Sequence, residues 1–153
     1  MAKNSLFDEQ LYQSIRSRVV LLTPSNERKW GRMNCAQMMK HLRKAMQLAF
    51  PRDKPLPKPS LLRKLMMPLI KNMVLSEKPY REGLPTAKAM IITDPVDFDT
   101  EKTKLLNTLD QFFNQGGEAA AQQIHPLFGK LKPEEWGFSQ WKHFDHHLRQ
   151  FNT

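Results

Sequence analysis

The sequence predicts an all-α fold, a four-helix bundle whose helices are joined by long proline-rich crossover loops. Three observations lead there. Apolar residues recur at three- and four-residue steps in several segments, as with Leu11, Ile15, Val19 and Leu22. No run of alternating apolar and polar residues is long enough to build a sheet. Eleven prolines and six glycines are spread unevenly, breaking the chain between the periodic segments. With 153 residues, of which 40% are hydrophobic, the chain reads as one domain over 1–153. A chain of this length buries roughly two-thirds of its unfolded surface in a single core.

The first helix is predicted over Leu6 to Leu22, and Thr23-Pro24-Ser25-Asn26 breaks it. Asn34 is a good N-cap for a second helix running to about Phe50, with Met38, Leu42, Ala45 and Ala49 as its apolar stripe. Pro51 ends it. The PRDKPLPKP stretch from Pro51 to Pro59 suits an extended connector, because each proline biases its predecessor away from the helical region. Ser60 can cap an amphipathic segment, LLRKLMMPLIKNM, which Pro68 is expected to kink or shorten. Its methionines and leucines suggest core filling or a pocket wall.

Leu75 to Pro95 carries Pro79, Gly83, Pro85 and Pro95, so a long crossover loop is expected there, with only pieces such as AMIIT regular. Asp97 or Asp99 can begin the third long helix, with Leu105, Leu109, Phe112 and Phe113 on one side. Gly116-Gly117 is expected to stop it. After an AAAQQIHPLFGKL connector, Pro133 fits the first turn of the last helix. Glu134 and Glu135 then lie near its positive end and Arg149 near its negative end.

Composition bounds the function. A single cysteine, Cys35, excludes an internal disulfide and CxxC metal or redox pairs, and a buried inert thiol is the simplest reading of it. The first residues, MAKNSLFDEQLYQSIRSRVVLL, lack the apolar core and cleavage site of a signal peptide, so the cytoplasm is the expected compartment. The longest apolar stretch, around Leu65 to Ile70, falls far short of a membrane span, and no membrane partner is expected. The net charge of +9 makes anionic partners plausible. Between Lys40 and Arg81 stand eleven Lys/Arg against only Asp53 and Glu77. Without an aromatic RNA-reading pattern or a DNA-reading motif, a solvated basic face is favoured over a nucleic-acid site.

Chemistry points to the histidines. His143 and His147, at i and i+4 on the last helix, stand about 5 to 6 Å apart on one face. That face borders the core stripe of Trp141, Phe144, Leu148 and Phe151, while Lys142 and Arg149 are expected to point away. His146 falls on another face and is left out of any ligand set. Two imidazoles hold a divalent ion weakly, and a third nitrogen donor makes a common metal site. His41, on the second helix, is the candidate third donor, although its pattern alone favours a hydrogen-bonded core histidine over a ligand. Gln37 and Gln140 are candidate partners to orient a ligand imidazole, and His125 is read as fixing its connector through a backbone hydrogen bond. Trp30, Trp136 and Trp141 are read as packing residues.

The segments WGRMNCAQMMKH (Trp30 to His41), HPLFGKLKPEEWG (His125 to Gly137) and HFDHHLRQF (His143 to Phe151) resemble an uncharacterised subfamily of the DinB-like superfamily of bacterial damage-inducible proteins. The KNMVLSEKPY and LPT stretches between them fit the same order. The resemblance implies a four-helix bundle of DinB-like type, in which one histidine of the second helix and an HxxxH pair of the last bind a divalent ion. The matching positions are His41, His143 and His147. Some members of that superfamily are metal-dependent thiol transferases or isomerases using bacillithiol, mycothiol or glutathione; many have no established activity. The resemblance thus implies a divalent metal ion, zinc or nickel foremost, and a small-molecule substrate such as a thiol. Imidazole ligands by themselves suit zinc, nickel, iron and copper alike. A metal-dependent enzyme and a non-enzymatic binding protein with a basic face both fit the residues, and a homo-oligomer fits either.

Overall fold

A computed structural model describes residues 4–54 and 60–153. It is an all-α bundle of five helices among the described residues, with one two-residue strand pair. Residues 55–59 of the expected extended connector lie outside the described residues; 51–54 are irregular.

Helix α1 spans Glu9–Leu21, starting later than expected because Asp8 caps it by accepting from the Leu11 N–H at 3.0 Å. Helix α2 spans Cys35–Met46 and opens on a reciprocal cap. The Asn34 side chain accepts from the Gln37 N–H, and the Gln37 side chain accepts from the Asn34 N–H, both at 2.9 Å. The stripe of Met38, Leu42, Ala45 and Ala49 is buried as expected, although Gln47–Ala49 tightens into a separate 3-10 turn.

Helix α3 spans Leu61–Leu75 with Pro68 inside it. The proline does not shorten it. Pro68 costs one backbone donor, but both ends are held: the Lys64 N–H reaches the Ser60 carbonyl at 2.9 Å, and the Met73, Val74 and Ser76 carbonyls accept from Lys142 Nζ. In the crossover loop only Lys88–Met90 is regular, as one 3-10 turn.

Helix α4 spans Phe98–Ala121, capped by Asp97, whose carboxylate accepts from the Thr100 N–H at 2.9 Å. The expected stop at Gly116-Gly117 is only a break. Gly116 takes φ 78°, ψ 169°, and the chain re-enters helical geometry. A Cβ on Gly117 would stand 2.8 Å from the Pro133 side chain and 3.3 Å from the Phe7 ring, so glycine keeps this last turn against the fold. Alanines 119–121 are strong helix formers, and Ala120 is fully buried. The connector before the last helix contains a short antiparallel pair, β1 (Ile124–His125) with β2 (Gly129–Lys130).

Helix α5 spans Pro133–Gln150 with Pro133 in its first turn, and the Glu135 carboxylate accepts from the Lys132 N–H at 2.8 Å. Helix α4 packs against α1, α2 and α5, and α5 packs against α1, α2 and α3. Leu6, Ile15, Val19, Met38, Leu42, Leu105, Leu109, Phe112, Trp136, Phe144, Leu148 and Phe151 form one continuous core. Buried Glu101 on α4 pairs with Arg43 of α2, and Asp110 on α4 accepts from Tyr12 Oη at 2.6 Å and Arg16 Nε at 2.9 Å of α1.

Candidate metal centre

Helices α2 and α5 cross where His41 meets His143 and His147. One nitrogen of each ring lies within 4.8 Å of the others, and no carboxylate or thiol belongs to this cluster. His41 Nε2 and His143 Nε2 are 2.9 Å apart. Tetrahedral bonds of 2.0–2.1 Å place ligand nitrogens about 3.3 Å apart, so a shift of a few tenths of an ångström suffices for both rings to share an ion.

The outer nitrogens of two rings are held. His41 Nδ1 faces the Met90 carbonyl at 2.8 Å, and a carbonyl only accepts, so this nitrogen carries the proton and Nε2 presents its lone pair. His147 Nδ1 lies 2.8 Å from Gln150 Oε1. The Gln150 amide nitrogen is committed to the Trp30 carbonyl, which leaves its oxygen to accept from His147. His147 Nε2 is therefore also a lone-pair donor. Such outer hydrogen bonds orient imidazoles and raise their ligand strength.

Burial sets the charge of the group. It pushes His147 down to about 3, with His41 the next contributor, and His143 goes well below its ordinary value from burial first and then the neighbouring imidazoles. His41 is lowered by burial as well, against the pull of the Met90 carbonyl. All three are neutral near pH 7, which is the ligating form. His41 and His147 are buried, whereas His143 keeps part of its surface open and marks the accessible side.

Other residues depart from expectation. Gln37 is spent on the α2 cap and on the Thr93 and Asp94 carbonyls, so it orients no ligand imidazole. Gln150 takes that part for His147; its place one turn after His147 was the available signal. Gln140 shares the α5 face of His143 and His147, and its buried Oε1 meets no protein donor among the described residues. Three neutral nitrogens and this oxygen acceptor fit a divalent ion bearing a water or another protic ligand.

Lys142 does not point away. It is buried, with Nζ on the Met73, Val74 and Ser76 carbonyls at 3.3, 3.1 and 2.7 Å and 4.4 Å from the Tyr80 ring centre. His146, one turn on, is buried beside it and lies outside the three-histidine group. Its ring sits 5.1 Å from that of His147, 5.5 Å from Trp30 and 5.6 Å from Tyr80. The end of α3 and the adjoining loop cover this side of α5, a contact that helical period alone does not reveal.

His125 accepts from the Leu127 N–H at 3.1 Å and stacks on Phe128, fixing its turn as expected. Cys35 is buried and its thiol is pushed up to about 11 by burial, so it is inert. Trp136 is fully buried, and Trp30 and Trp141 are half-buried. Met66 is 43% exposed rather than core-filling. No helix among the described residues is long and apolar enough to cross a membrane.

No curated protein and no solved structure matches the chain. A family model matches it over residues 1–153, and the chain thereby belongs to the family described as Protein of unknown function (DUF1569).

Proposed function

We propose that this chain is a divalent-metal protein of DinB-like type, with His41, His143 and His147 as ligands and zinc or nickel as the ion. The observation that carries the reading is the pair of outer hydrogen bonds, Met90 to His41 and Gln150 to His147, which turn two lone pairs toward His143. A single packed histidine also hydrogen-bonds a ring nitrogen, but here two such bonds leave inward lone pairs in a cluster where one nitrogen of each of three imidazoles lies within 4.8 Å of the others, an arrangement that packing alone does not require. A bound ion would act as a Lewis acid, lowering the pKa of a thiol or water.

The chain's own residues supply the rest. The partly open edge of His143 admits a small molecule, and Gln140 Oε1 is free to accept a hydrogen bond from a protic ligand beside it. The reading extends to a thiol transferase-like or hydrolytic enzyme, as the DinB-like resemblance of the three histidine-bearing segments suggests. A nucleic-acid surface is less favoured, because Arg43, Lys44, Arg52 and Lys71 of the basic region are engaged within the fold.

Elemental analysis of tag-free protein tests the proposal. About one divalent ion per chain is expected, lost in His147→Ala. Full metal retention in that variant would sink the assignment.

A further inference from the structure

Helix α3 has two apolar stripes. Met67, Ile70 and Val74, at helical spacing with the stem of Lys71, face inward. On the opposite side Leu61, Leu62, Leu65 and Leu69 are 63–75% exposed, and Met66 and Met73 are 44% exposed or less. Six large apolar side chains on one face of a helix about 22 Å long form a continuous patch, of the kind that marks an interaction surface.

This outward face is clamped. Lys71 Nζ bonds the Glu135 carboxylate and the Lys130 carbonyl, each at 3.0 Å, Lys142 caps the last carbonyls, and Val74 is buried. The helix is therefore not free to roll its leucines into the core.

Charge decides what covers the patch. Helix α3 contains three cations and no acid, and around it Lys54, Lys78 and Arg81 are exposed beside Asp53, Glu77 and Glu82, so the helix itself carries the positive excess. A two-fold contact with a second copy would set this helix against itself, and α3 carries no carboxylate of its own to meet its cations. Nucleic acid would satisfy the charge and leave the leucines in water. An anionic lipid surface takes both, since interfacial helices bury Leu-rich faces at the headgroup boundary while Lys and Arg meet lipid phosphates.

We infer that α3 is an interfacial helix that docks the protein peripherally on anionic membranes, with Leu62, Leu65, Leu69 and Met73 entering the headgroup region. The expectation of no membrane partner rests on the lack of a membrane-length apolar stretch, and peripheral docking requires none.

Co-sedimentation of the tag-free chain with phosphatidylcholine vesicles, with and without phosphatidylserine, tests the inference. Binding is expected with phosphatidylserine, weakening as salt rises. The Leu65→Glu/Leu69→Glu variant is expected to lose more than about tenfold in affinity, because one buried leucine is already worth over a tenfold change. Its thermal midpoint is expected to hold, since both side chains are exposed. As an independent readout, a polarity-sensitive dye on Leu69→Cys is expected to shift blue on the anionic vesicles, Cys35 being buried and unreactive. Absence of wild-type binding, undiminished binding by the double variant, an unshifted dye, or a dimer that the double variant dissolves would each overturn it.

Discussion

Gln150 shows how much one side chain carries. Its oxygen selects the His147 tautomer and its nitrogen ties the helix end to the Trp30 carbonyl. Room for it comes from Gly31, whose φ is +83° and where a Cβ would lie 2.6 Å from the Gln150 amide nitrogen. Gln150→Ala removes the acceptor on His147 Nδ1, so metal affinity is expected to fall roughly 10–100-fold with the fold retained. A competition titration with a chelating dye measures this, and unchanged affinity would show that the oxygen does not orient the ligand. The histidines of α5 were legible in the sequence because i and i+4 share a face. Gln150 was harder to single out, because glutamines on helices are commonly solvated and only the fold shows that this one is 4% exposed.

At the level of elements, α3 is anchored by α5 more than by its own sequence. Pro68 weakens it, and Lys142 compensates by satisfying three carbonyls at and beyond its end. Lys142→Met keeps the stem and removes those bonds. We expect α3 and the loop after it to be cleaved by protease several-fold faster in this variant, with the bundle protected, because local opening governs such cleavage. Equal cleavage rates in the two proteins would refute the capping role. Gly116 makes a related point about α4. A glycine pair reads as a stop, yet the alanines beyond it and the contact of Gly117 with Pro133 and Phe7 restore the helix. Local sequence marks the break, and packing decides whether the helix resumes after it.

Over the whole molecule, three buried imidazoles and the partly open His143 give stability a pH dependence. His146 is lowered to about 4 and His147 to about 3, in each case foremost by burial, and His41 and His143 are lowered as well. Below pH 6.5, the ordinary histidine value, the unfolded chain takes up protons that the folded chain refuses. Stability is therefore complete above that value and falls as pH drops toward 4. The urea midpoint of metal-free protein is expected to decline through this range. His146→Gln should make the decline shallower by about one proton, or about 1.4 kcal/mol per pH unit. A midpoint flat from pH 7 to 5 would contradict neutral, buried imidazoles.

Helical periodicity and capping chemistry determined the all-α class, the Asn34 cap, the Pro133 start and the shared face of His143 and His147, and left Asp97 and Asp99 as alternative starts of α4, of which the structure takes Asp97. Those features depend on neighbours within two turns, where spacing and geometry are the same thing. His41 came from family resemblance, because no local rule says which helix faces which. Only the tertiary structure decided that α2 meets α5 at three imidazoles, that Gln150 and Met90 set their tautomers, and that Phe138, Lys142 and His146 form a second buried stripe on α5. That stripe is buried because α3 and the loop to Tyr80 lie over it, leaving the leucines of α3 on the outside. A sequence shows which residues share a face, and the covering of each face depends on segments far along the chain.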